Sequence, residues 1–162
     1  VKERRGSISQ VDEMIENHLS AKDVLEGEFT PGWGGVRKPE VIKYLMYEYE
    51  RELRDLSGRL SLAPYPEFRE NFQVEHLVPK NAEAGHELEN HEANRNRIGN
   101  LAVLSSHHNN VNDNTPYQEK YEDVYRNSSF KILSTLPEPR LTLEDLEKRE
   151  RDIFAFVDER WG

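Results

Sequence analysis

The spacing of apolar residues changes character twice along the chain. Residues 7–25 carry Ile8, Val11, Met14, Ile15, Leu19, Val24 and Leu25, a rough helical stripe. The run EGEFTPGWGGV, 26–36, is a loop by its Gly and Pro content. From Pro39, a residue favoured in a first turn, a second helix is predicted. Val41, Leu45, Tyr49 and Leu53, with Ile42, Met46 and Leu56, form one broad apolar face, and Gly58 suits its end. The period then shifts. SLAPYPEFREN, 61–71, is turn-like, and FQVEHLV begins with the alternation of a strand over about 72–77. Residues 82–97 are polar and irregular, with room for a short helix. IGNLAVLSS supplies a second strand over about 101–104.

After an Asn-rich stretch, Thr115 can cap a helix with Pro116 at its first position, running to about 126. Its packed face would carry Tyr117, Tyr121 and Val124 or Tyr125. A closing helix starts near Thr142, where Thr142 and Asp145 resemble a capping box, and runs through Leu146, Ile153, Phe156 and Val157 toward Trp161. The expected fold is α+β and mostly helical, with strand, long loop, strand and helix in the middle.

Composition narrows the function classes. Of the 162 residues 33% are charged and 35% hydrophobic, with six Phe, seven Tyr and two Trp to anchor a core. No run approaches the roughly 18 apolar residues of a membrane span. The chain has no cysteine, which excludes disulfides and thiolate zinc sites and fits a cytoplasmic protein. It reads as a fragment of a longer protein, since VKERRGSISQ has neither an initiator Met nor an apolar leader. The net charge of −9 carries no electrostatic signature of a stand-alone nucleic-acid binder, but does not exclude a nuclease delivered by another domain. Residues 71–125 hold nine acidic and four basic residues, so no basic face is visible there. His86, His91, His107 and His108 match no structural zinc spacing.

The chemistry-bearing positions fall in order: Glu75-His76, Pro79, Gly99-Asn100-Leu101, Asn109 and Lys120. Cutting a phosphodiester requires a base for water, charge stabilisation on the phosphoryl oxygens and help for the leaving oxygen. A hard cation on oxygen ligands meets the last two needs, and a neutral His the first.

The pattern EHLVPKN … RIGNLAVLSSHHNNVNDNTPYQEKY resembles the HNH, or ββα-metal, nucleases. It is similar to the C-terminal domain of GmrSD-type modification-dependent restriction enzymes and related phage-defence proteins. VIKYLMYEYE resembles the family's helix before the motif, and LEDLEKRERDIFAFVDERW its closing helix. The resemblance implies a single domain over 1–162: a helical part (1–60), a ββα-metal core (70–126) and a C-terminal helical part (127–162). It implies a metal-dependent endonuclease that cleaves or nicks DNA, leaving 5′-phosphate and 3′-hydroxyl ends. His76 would be the general base. Glu75 and Asn109, with Asn110 as the alternative, would hold Mg²⁺ or Mn²⁺, and Asn100 would pin the loop carrying His76. Lys120 would meet a phosphate. Arg95 and Arg97 either meet phosphate or pair with local carboxylates, and His108 would line the nucleic-acid groove. An N-terminal ParB-like nucleotidase domain or partner subunit would supply recognition. The rival readings are a regulatory or protein-binding module on an HNH scaffold, and an RNase using the same site.

Overall fold

The computed structural model of the protein describes residues 39–56, 58, 62–108 and 114–161. The helix expected over 7–25, and Asn109 with its alternative Asn110, lie outside them. Helix α1, Pro39–Leu56, buries Ile42, Leu45 and Met46 of the apolar face read from the sequence, while Leu56, expected on that face, is exposed. Gly58 follows it in the left-handed region at φ 67°, where a glycine meets no Cβ clash.

The stretch expected to be a turn contains helix α2, Tyr65–Asn71. Pro64 precedes the helix and Pro66 sits in its first turn, where a missing N–H costs nothing. Phe68 then buries itself, stacked on Phe72 with ring centroids 4.4 Å apart.

Strand β1, Phe72–His76, pairs antiparallel with β2, Leu101–Ser105. Phe72 opposes Ser105, Val74 opposes Val103, and His76 opposes Leu101. Between them lie a short helix, α3 (His91–Asn94), and a 3₁₀ turn, Ile98–Asn100. The Leu77 N–H donates to the Asn100 carbonyl at 2.9 Å, which carries the pairing one bond beyond His76. Leu101, Ala102, Val103 and Leu104 are all buried, as expected of an apolar run covered on both faces.

The next helix starts as α4, Tyr117–Lys120, and passes into a π-helical segment, Tyr121–Tyr125. A one-turn helix α5, Lys131–Ser134, had no sequence expectation. Its first amides are held from far away: Glu50 on α1 accepts from the Lys131 and Ile132 N–H groups at 2.8 and 2.9 Å. Helix α6, Leu143–Trp161, begins at the expected capping box. Thr142 N–H donates to the Asp145 carboxylate (2.9 Å), and Asp145 N–H donates back to the Thr142 hydroxyl (3.2 Å). The result is a mostly helical α+β domain. Helix α1 packs on α2, α5 and both strands, and α6 packs on the 3₁₀ turn before β2.

Candidate functional site

His76 ends β1. Successive strand side chains point to opposite faces, so Glu75 and His76 diverge. The imidazole is partly buried on the side of the long loop, and its Nε2 lies 3.1 Å from Asn96 Oδ1. Burial is the main influence on its pKa and pushes it below the 6.5 of a free imidazole. The Asn96 bond opposes that shift, and the charges of Lys80, Lys120 and Arg95 add to it. The ring is therefore held neutral near pH 7.

Asn100 is completely buried, and its carboxamide is fully engaged. Oδ1 accepts from Val78 N–H at 2.9 Å, while Nδ2 donates to the carbonyls of Val78 (3.0 Å) and Arg95 (2.8 Å). One side chain thus ties together the segment just after His76 and the segment just before β2. This is the geometry of a loop pin.

Glu75 and Lys120 meet each other inside the core. Glu75 is only 3% exposed and Lys120 wholly buried. The Lys120 ammonium pairs with Glu75 Oε1 and donates to the His76 carbonyl at 2.7 Å. Tyr125 also donates to Glu75 Oε1, at 3.3 Å. Burial, with Glu75 beside it, raises the Tyr125 pKa and keeps its proton in place. The Lys120 ammonium is thus spent inside the core, on Glu75 and the His76 carbonyl. A hard cation seeks carboxylate oxygens with charge to spare. The Glu75 carboxylate as placed is already engaged by Lys120 and Tyr125. Among the described residues no three His, Asp or Glu side chains gather into a metal-binding group.

The two loop arginines take the second of their expected roles. Arg97 pairs with Glu150 on α6 through Nε (3.1 Å) and Nη2, and its Nη1 donates to Asn94 Oδ1 at 3.0 Å. Arg95 pairs with Glu92 at 2.9 Å and donates to the Lys80 carbonyl at 3.2 Å. His108 lies next to Ser105, whose hydroxyl is 3.0 Å from its Nδ1. Ser105 opposes Phe72, so His108 stands at the end of the hairpin away from His76.

Four further residues take part at or around the site. Asn96 lay hidden between two arginines singled out for charge. Lys80, exposed and four residues beyond His76, is close enough to depress its pKa. Tyr125 had been assigned only to packing. Arg149 reaches from α6 and donates through Nη1 to the carbonyls of Gly99 (2.9 Å) and Leu101 (2.6 Å). Although Arg149 is partly exposed as a residue, its guanidinium is enclosed, and that burial lowers its pKa to about 10. It remains a cation at neutral pH.

A histidine at the end of a hairpin strand, with a buried asparagine pinning its loop and helices packed around both, defines a compact site on a mostly helical α+β domain. The chain belongs to the family of GmrSD restriction endonucleases, C-terminal domain, whose model matches residues 26–156. The family places it in a restriction-nuclease setting. No curated protein and no solved structure shows significant similarity to the chain. Among the described residues no helix is long and apolar enough to cross a membrane.

Proposed function

We propose that this chain is an HNH-type endonuclease domain that cuts or nicks DNA, with His76 as the general base. The observation that carries the reading is the placement of the His76 ring, at the end of β1 with Nε2 3.1 Å from Asn96 Oδ1 and the adjoining loop pinned by Asn100; burial, which lowers its pKa, supports it. With Nε2 donating to Asn96 Oδ1, the lone pair of the imidazole lies on Nδ1. Nδ1 then takes a proton from water as the oxygen attacks the phosphorus, and the 3′ oxygen leaves. A base tuned to remain unprotonated at neutral pH suits this step.

Lys80 is exposed near the ring, and the positive charge that lowers the His76 pKa would also favour a nearby phosphate. Asn100 acts as a positioning residue through its hold on Val78 and Arg95. A requirement for Mg²⁺ or Mn²⁺ belongs to the proposal, as does a ParB-like nucleotidase domain or partner subunit that brings the DNA. That division of labour accommodates the net charge of −9.

The test is nicking of supercoiled plasmid by the wild type and His76→Ala, with Mg²⁺, with Mn²⁺ and with excess chelator, and with RNA supplied in parallel. Loss of cutting in a folded His76→Ala protein and in chelator is expected. Cutting that persists in His76→Ala removes the base. Cleavage of RNA with intact plasmid makes the domain an RNase.

A further inference from the structure

The pair formed by Glu75 and Lys120 is buried against the backbone of the residue proposed as base. We infer that Glu75, Lys120 and Tyr125 form a positioning device that fixes the His76 main chain, and that Glu75 is not a metal ligand. The inference deepens the nuclease reading and rests on it for its kinetic part.

Three observations carry it. First, the Lys120 ammonium bridges two acceptors, the Glu75 carboxylate and the His76 carbonyl (2.7 Å). The carbonyl belongs to the same residue whose imidazole faces the loop, so the ammonium sets the height and tilt of the strand end. Second, Glu75 opposes Ala102 and His76 opposes Leu101 in the register, so alternation sends the two side chains to opposite faces. The Glu75 carboxylate is engaged instead by Lys120 and Tyr125.

Third, the helix carrying Lys120 is distorted where the device needs it. Lys120 and Tyr125 are five residues apart. At 3.6 residues per turn they would point well away from each other. The segment Tyr121–Tyr125 is instead π-helical, with Arg126 N–H donating to the Tyr121 carbonyl at 2.9 Å. The wider turn brings Lys120 and Tyr125 onto one side, and both reach Glu75 Oε1. Single π-turns inside α-helices are uncommon and gather at functional sites.

The test compares Lys120→Met and the double variant Glu75→Gln/Lys120→Met with the wild type. The double variant leaves no unpaired buried charge, which protects the fold. Direct Mn²⁺ binding, followed by electron paramagnetic resonance, should be unchanged in the double variant. A dissociation constant raised by more than about 100-fold, beyond the loss an outer-shell partner gives, would make Glu75 a ligand and overturn the inference. In nicking kinetics Lys120→Met should lower kcat by about 100-fold with the KM for plasmid unchanged. The double variant should recover thermal stability but not kcat, because the His76 carbonyl still lacks its donor. A raised KM with kcat kept would make Lys120 a phosphate contact instead. If the wild type cuts nothing, the nuclease reading fails by itself. The ring resonances of His76 in an NMR spectrum then decide the positioning role. They should move in both variants, and unmoved resonances would overturn it.

Discussion

Gly99 is the narrowest point between α6 and the turn that carries Asn100. A Cβ built there would lie 2.8 Å from Leu146 Cγ and 2.9 Å from Glu150 Cγ, and closer still to the Leu146 carbonyl oxygen. Real Cβ contacts stay beyond 3.0 Å. A flexible side chain could swing away; the carbonyl of a residue inside α6 cannot. Gly99→Ala therefore forces the helix and the turn apart, an overpacking cost near the upper end of the usual range, about 3 kcal/mol. Alanine also narrows the unfolded ensemble, offsetting about 0.4–1 kcal/mol. The net loss is about 2 kcal/mol, or about 4–8 °C in Tm for a chain of this length.

Urea unfolding followed by circular dichroism reads this directly. Gly85→Ala is the matched control. Gly85 has φ +88° and open space around it, so only a left-handed backbone penalty of about 1–2 kcal/mol applies. The loss at Gly99 should be accompanied by slower nicking, since the turn carries Asn100. The loss at Gly85 should not. A Gly99→Ala protein within about 0.5 kcal/mol of the wild type would refute the close approach of α6 to the turn.

Asn100→Ala strands the Val78 N–H and the carbonyls of Val78 and Arg95, and should cost about 3 kcal/mol in urea unfolding; a loss under about 1 kcal/mol would show the loop held by something else. Glu50→Ala removes the acceptor for Lys131 and Ile132 and leaves the Arg54 Nε bond (2.8 Å) unmade, so α5 should lose amide-exchange protection first, with a stability loss of about 2–3 kcal/mol. The depressed His76 pKa places the acid limb of the nicking rate below the 6.5 of a free imidazole. Lys80→Gln removes one of the charges that depress it, so the limb should move to higher pH; a limb that stays put or moves lower would contradict the electrostatics. The same neutral, partly buried ring stabilises the fold above pH 6.5, and this contribution is lost as pH falls through its lowered value.

Local pattern exposed the hairpin because the two apolar runs are short, rich in Val and Leu, and bounded by polar residues. The closing helix was equally legible, since its capping box lies within four consecutive residues. Helix α2 was hidden because a proline in a first helical turn has the same composition as a proline in a loop. Helix α5 was hidden for a different reason: its amides are capped by Glu50, some eighty residues earlier, and no window around 131 contains that carboxylate. At the site, His76 and Asn100 stood out by their company. The partnership of Glu75 with Lys120 spans 45 residues and depends on a π-turn that no local spacing announces.

The grip of α6 on the turn before β2 bears on transplanting this hairpin. Arg149 anchors carbonyls about fifty residues upstream, and Glu150 neutralises Arg97 from the same helix. A graft of residues 70–126 into a foreign scaffold would carry the histidine and the asparagine but arrive without either anchor. The hairpin is thus the visible part of a larger keystone arrangement, and a designer who wants to move it must bring the distant helix along or build an arginine in its place.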